Sequence, residues 1–129
     1  PAAVLILTGT NDFIYQVCSP NEAMDWLDQM ISLAKQHSIK VILMTPLLVD
    51  VHLAEQNWMP DVDYEEVNDK LKTLRSLMLD YSDMNDVDVI DAQELFAQRF
   101  TSENVSDYLL DGLHPTVLGH EVIAGFLPD

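Results

Sequence analysis

Two stretches of the chain are apolar without interruption, and two longer ones are apolar only at helical intervals. Ala3-Val4-Leu5-Ile6-Leu7-Thr8 is a partly β-branched run of strand length, the pattern of a strand covered on both faces in a parallel sheet. Lys40-Val41-Ile42-Leu43-Met44-Thr45-Pro46 is the second such run, stopped by its proline, and Val87-Asp88-Val89-Ile90-Asp91, though broken by Asp88, reads as a short third strand. Between the first two, Ser19-Pro20-Asn21-Glu22 carries the residues of a helix start: Ser19 to cap, Pro20 at the first helical position and Glu22 to complete a capping box. Ala23, Leu27, Met30, Ile31 and Ala34 then fall along one face, which predicts a helix from about Pro20 to about His37. Asp63-Tyr64-Glu65-Glu66 opens a second helix in the same way. Its stripe is Val67, Leu71, Leu74, Met78 and Tyr81, and Asn85-Asp86 breaks it.

The remaining segments have weaker patterns. Residues 47–62 show neither period and read as a long loop, with at most a short helical turn, on the same edge as the end of the first strand. A helical piece is expected around Gln93 to Phe100, a polar loop from Thr101 to Leu113, and a last helix from Pro115 through about Gly125. Strand and helix alternate throughout, which gives an α/β fold with right-handed crossovers, taken as a single domain over residues 1–129. There is no internal repeat and no low-complexity segment.

Composition narrows the partners. Acidic residues outnumber Lys and Arg by 22 to 6, a formal charge of -16, which opposes binding to phosphate backbones and anionic membrane surfaces. Nucleic acid is therefore excluded as an expected partner. A lone Cys18 cannot form an internal disulfide, and no apolar run is long enough to span a bilayer. Both fit a cytoplasmic protein. A secreted origin stays open, because Pro1-Ala2-Ala3 is preceded by no initiator methionine.

Two short segments carry candidate chemistry. Gly9-Thr10-Asn11-Asp12 follows the first strand, where Gly9 permits a sharp turn and Asn11 and Asp12 stand at the strand's C-terminal end. In open α/β sheets that edge binds ligands. Asp111-Gly112-Leu113-His114 lies before the last helix, with Pro115 biasing His114 away from helical dihedrals. An acid three residues before a histidine can fold back to accept the Nδ1 proton. That arrangement fixes the imidazole tautomer and is two thirds of a Ser-His-Asp hydrolase site.

Together these segments resemble the third and fifth sequence blocks of the SGNH hydrolases, the GDSL-type esterases and lipases, and the similarity runs over essentially the whole chain. The resemblance implies a three-layer α/β/α sandwich with a parallel, flavodoxin-like sheet, here incomplete at its N-terminal side. It implies ester hydrolysis without metal or organic cofactor, on a small-molecule, carbohydrate or lipid ester. It assigns His114 as general base, Asp111 as the carboxylate that orients it, and Asn11 as an oxyanion donor, with Gly9 and Asp12 supporting the turn.

The family's Gly-Asp-Ser block, which carries the nucleophile, is absent, as is the second-block glycine. No serine replaces it. Ser19 reads as a helix cap, Ser32, Ser76 and Ser82 fall in helical patterns, Ser38 at a helix end, and Ser102 and Ser106 in a polar loop. The nucleophile is thus expected on residues outside this chain. They would be supplied by an N-terminal segment or another chain along the unpaired edge of the first strand, and the chain alone is expected not to hydrolyse esters. A non-catalytic interaction module that retains the fold, and acyl transfer to an alcohol in place of water, are the alternatives. Among the other candidates, His120 reads as helix surface, Cys18 lacks basic neighbours to activate it, and Trp58, Met59, Leu47 and Leu48 either line a pocket or cover the core.

Overall fold

The computed structural model describes residues 1–129. Three strands, β1 (Ala3–Leu7), β2 (Lys40–Met44) and β3 (Asp88–Ile90), form one parallel sheet in the order β1-β2-β3. The helices are α1 (Thr10–Ile14), α2 (Pro20–Gln36), α3 (Val51–Asn57), α4 (Tyr64–Asn85), α5 (Ala92–Ala97) and α6 (Val117–Ala124), with a single 3-10 turn at Val105–Asp107.

The two long helices start as their sequences dictate. At α2 the Ser19 hydroxyl accepts from the Glu22 N–H at 3.2 Å, and the Glu22 carboxylate accepts from the Ser19 N–H at 2.8 Å. That reciprocal pair satisfies two otherwise orphaned donors. Asp63 caps α4 by accepting from the Glu66 N–H at 3.0 Å. The same helix stops where Asp86 turns into the left-handed region, with φ of 52°.

Register decides what the sheet buries. Val4 lies opposite Val41, Ile6 opposite Leu43, and Leu43 opposite Val89, so these side chains share one face. They meet Leu27 and Ile31 of α2 and Leu71, Leu74 and Met78 of α4 in the main core. A smaller cluster of Phe96, Val105 and Leu109 joins α5 to the segment before α6. The opposite face is unevenly covered: Met44 of β2 is buried, while Leu5 and Leu7 of β1 are 42% and 49% exposed. The expectation that the first strand is covered on both faces is corrected here. β1 is an edge strand whose second face is left open.

Two further differences from the sequence expectations bear on the site. Residues 47–62 contain α3, capped by Asp50, whose carboxylate accepts from the Leu53 N–H at 2.9 Å. Only Ala54 of that helix is buried, so no apolar period announces it. The last helix begins after Thr116, whose hydroxyl accepts from the Gly119 N–H at 3.1 Å. Pro115 instead pairs with Leu109 in an isolated antiparallel bridge.

Candidate active site

β1 and β2 end beneath one cleft, and each leaves the sheet through a constrained turn. Gly9 follows β1 with φ of 122°, and a Cβ there would lie 2.7 Å from Leu74 Cδ2. The positive φ favours glycine here, and any side chain would also have to displace the Leu74 methyl of α4. The turn lets α1 begin at once, so Asn11 and Asp12 occupy the first turn of a short helix. Asn11 is exposed, and both residues line the cleft.

The exit from β2 is fixed from below. Buried Asn68 of α4 accepts from the Val49 N–H and donates to the Val49 carbonyl, each at 2.8 Å. One side chain thus satisfies both polar groups of a buried peptide segment, much as a neighbouring strand would. Leu47 and Leu48, held by that anchor, form an apolar wall of the cleft.

The Asp111–His114 loop forms the third wall. Asp111 is only 8% exposed. Its Oδ1 accepts from the backbone N–H groups of Leu113 at 3.0 Å and His114 at 2.8 Å, and its Oδ2 lies 2.7 Å from His114 Nδ1. Burial alone would raise the Asp111 carboxyl, but the hydrogen bonds from His114 and Leu113 outweigh it and hold the group below the ordinary carboxylate range. An ionised Asp111 calls for the Nδ1–H tautomer of His114. That leaves Nε2 free to take a proton.

Gly112 fits this loop to α3. It has φ of 87°, its carbonyl accepts from the Asp50 N–H at 2.9 Å, and a Cβ would sit 2.6 Å from the Asp50 carbonyl oxygen. Trp58, just past α3, meets His114 edge to face with ring centroids 4.9 Å apart and planes inclined by 63°.

The cleft encloses about 550 Å³ and brings His114, Asn11, Asp12 and His120 to its wall. His120, a helix-surface residue by its sequence, is exposed and lines this space. None of the lining residues is a serine. The hydroxyl side chains there are Thr8 and Thr10, which sequence reasoning did not single out, and the His114 ring is hydrogen-bonded to Asp111 alone. The Asn68 anchor and the Trp58 contact were also missed. Asn68 stands with Asp69 and Lys70 between Val67 and Leu71 of the α4 stripe, so the sequence carried no signal that set it apart. The placement as a whole brings a histidine held by a buried carboxylate and an exposed asparagine to one partly apolar cleft at the C-terminal edge of the sheet.

The fold is an α/β architecture built on a parallel sheet, with the cleft at the sheet's C-terminal edge. Residues 1–122 match the model of the GDSL-like Lipase/Acylhydrolase family, and the chain belongs to that family. Among solved structures it is similar to a GDSL-like lipase from Bacteroides thetaiotaomicron, with TM-score 0.78 and 24% identity over 98% of this chain and 60% of that one. It is also similar to a lipase/acylhydrolase from Enterococcus faecalis, with TM-score 0.70 and 21% identity over 98% of this chain and 58% of that one. A mutant acetyl-xylooligosaccharide esterase from Geobacillus stearmophilus aligns with TM-score 0.72 and 19% identity, over 98% of this chain and 57% of that one. The chain thus spans about 60% of the length of the solved structures it resembles. No curated protein matches it. No helix is long and apolar enough to cross a membrane.

Proposed function

We propose that residues 1–129 are the C-terminal portion of a single hydrolase domain that cleaves carboxylic esters through a Ser-His-Asp triad, with the serine on residues outside 1–129. The observation that carries this reading is the 2.7 Å contact between Asp111 Oδ2 and His114 Nδ1 at the wall of a cleft that Asn11 also lines. Asp111 orients the ring and stabilises the imidazolium. His114 Nε2 removes the serine proton as the hydroxyl oxygen attacks the ester carbonyl carbon, and Asn11 donates its side-chain N–H to the developing oxyanion. The tetrahedral intermediate collapses, and His114 returns the proton to the departing alkoxide. Water, deprotonated by the same histidine, then attacks the acyl-serine carbonyl, and His114 returns that proton to the serine oxygen as the acid leaves. Gly9 and Asp12 shape the turn that presents Asn11.

The substrate class is an ester of a small, carbohydrate or lipid alcohol, consistent with a leucine-walled cleft and with the lipase and acetyl-xylooligosaccharide esterase names of the similar structures. Turnover of an activated short acyl ester by the polypeptide that includes the serine-bearing segment tests the reading. His114→Ala is expected to lower kcat by at least about 10⁴-fold and Asn11→Ala by about 10²- to 10³-fold. Undiminished turnover in His114→Ala, or serine-dependent turnover by residues 1–129 alone, rules it out. A second reading, a non-catalytic module that retains the fold, is favoured by one observation, the absence of any serine from the cleft. A Gly-Asp-Ser block encoded upstream of Pro1 decides against it.

A further inference from the structure

The reaction proposed for His114 makes no use of the indole that lies against its ring. Trp58 and His114 meet edge to face with centroids 4.9 Å apart, closer than the rings of Phe96, Phe100 and Tyr108 approach one another. Aromatic pairs favour that inclined arrangement over this range of distance. Trp58 is 43% exposed and does not line the cleft. It is therefore placed to act on the histidine and not on a substrate held there.

Bonds within the loop fix the backbone of His114 and one atom of its ring. Its N–H donates to Asp111 Oδ1 at 2.8 Å, its carbonyl accepts from the Leu110 N–H at 2.8 Å, and Nδ1 lies 2.7 Å from Asp111 Oδ2. The side chain otherwise projects outward and is 55% exposed. A ring restrained at Nδ1 alone can still tilt. Tilting moves the other nitrogen, Nε2, and a misplaced proton-transfer atom costs rate.

We propose that Trp58 is a positioning residue for His114, its indole bracing the imidazole so that Nε2 keeps the direction in which it takes and returns protons. The inference rests on the proposed function, in which His114 is the general base.

The indole is itself held from two sides. α3 ends at Asn57, and the Trp58 N–H donates to the Ala54 carbonyl at 2.9 Å. The next residue is gripped at both backbone groups by one buried tyrosine: the Tyr64 hydroxyl accepts from the Met59 N–H at 3.2 Å and donates to the Met59 carbonyl at 2.9 Å. Pro60 adds a restriction by biasing Met59 toward extended dihedrals. The histidine loop rests on the same helix, for the Gly112 carbonyl accepts from the Asp50 N–H, and a Cβ at Gly112 would come within 2.7 Å of the Ala54 backbone nitrogen. Loop, helix, indole and imidazole thus close a circuit. The contact between the two rings is the link through which the fold reaches the exposed part of His114.

The test compares Trp58→Leu, which keeps apolar bulk without a flat ring, with Trp58→Phe, which keeps an aromatic ring, in the polypeptide that includes the serine-bearing segment. Trp58→Leu is expected to lower kcat for an activated short acyl ester by about 10-fold with KM within about twofold. Trp58→Phe is expected to stay within about threefold of the unsubstituted enzyme. Trp26→Leu, at a comparably exposed tryptophan on α2 (45%), is expected to leave kcat unchanged. A second readout needs no turnover. The His114 Nδ1 proton shared with Asp111 is followed by NMR, and its exchange with water is expected to be faster in Trp58→Leu and unchanged in Trp58→Phe. An unchanged kcat in Trp58→Leu, a loss confined to KM, or an equal loss in Trp58→Phe overturns the proposal, and the KM outcome assigns Trp58 to the substrate instead. Unaltered proton exchange in Trp58→Leu beside a dead His114→Ala sinks the positioning role and leaves the ester hydrolysis standing. Faster exchange in a protein that cleaves no ester does the opposite: the hydrolysis falls and the bracing of the ring remains.

Discussion

At the β3 end of the sheet, one carboxylate collects bonds from two other elements. Arg75 of α4 donates to Asp91 through Nε at 2.8 Å and Nη2 at 2.5 Å, and the Thr45 hydroxyl at the end of β2 donates to the same group at 3.1 Å. The Gln93 N–H of α5 closes on Thr45 at 2.9 Å, and the Gln93 amide donates to the carbonyls of Pro46 and Leu71. At the β1 end there is nothing comparable: an unpaired strand edge, two leucines in solvent and an apolar stripe on α2. The contrast separates two ways of using a sheet. One end is locked by polar groups that specify a single arrangement of β2, β3, α4 and α5. The other offers non-directional apolar surface that becomes stable only when something covers it.

The candidate site straddles the boundary between these ends. His114 and Asp111 are tied to the finished end, through Gly112 to α3 and through Asn68 and Val49 to α4. Asn11 hangs from β1, at the unfinished one. On the proposed function, the base is positioned by this chain's own core, while the oxyanion donor sits beside the edge at which the nucleophile must arrive.

Truncating the same residue type at the two ends sharpens this contrast. Leu43 of β2 is fully buried, and Leu43→Ala is expected to cost about 2–5 kcal/mol in urea unfolding, since it removes transfer energy and leaves a cavity. A loss under 1 kcal/mol would mean the β2 core is looser than its packing implies.

Next in size is Arg75→Met. The pair is about three-quarters buried on both partners, and removing the guanidinium leaves a largely buried carboxylate with only Thr45 and backbone to satisfy it. The expected loss is about 1–3 kcal/mol, between the surface and the fully buried cases. The variant is also expected to change the acid limb. The hydrogen bond from Arg75, set against the cost of burial, holds the Asp91 carboxyl below its ordinary value, and Asp111 is likewise depressed. A group whose folded pKa is depressed stabilises the fold above the unfolded value, and that contribution is lost as pH falls through the folded one. Unfolding free energy should therefore hold between about pH 5 and 7 and drop below about pH 4, with a shallower drop in Arg75→Met. An unchanged acid slope in that variant would assign the acid sensitivity elsewhere.

How much of this the sequence revealed follows the range of the interactions. The caps at Ser19 and Asp63 are bonds between residues three apart, so they are written in adjacent letters, and the Asp111 to His114 contact is local in the same sense. α3 escaped notice because it buries a single residue, Ala54. The Asn68 anchor joins positions 19 apart and the Gln93 bonds join positions up to 48 apart. Nothing in a linear pattern distinguishes those polar residues from solvated ones. The openness of β1 was hidden for a different reason. A strand awaiting a cover has the same apolar letters as one already covered, and only the register and the missing neighbour separate them.

That ambiguity sets the smallest prediction, Leu5→Thr. Leu5 and Leu43 are both leucines in parallel strands and fall on opposite faces of the sheet, since Leu5 pairs in register with Ile42 and not with Leu43. Threonine is β-branched and suits a strand, and it removes apolar surface that is already 42% exposed. In residues 1–129 the change should shift stability by no more than about 0.5 kcal/mol, the range of ordinary surface substitutions. The same substitution in the polypeptide extended upstream of Pro1 should cost clearly more if the second face of β1 is covered there. The difference between the two values measures how much of the cover that face receives, and a difference of zero would leave the face open in the longer protein as well.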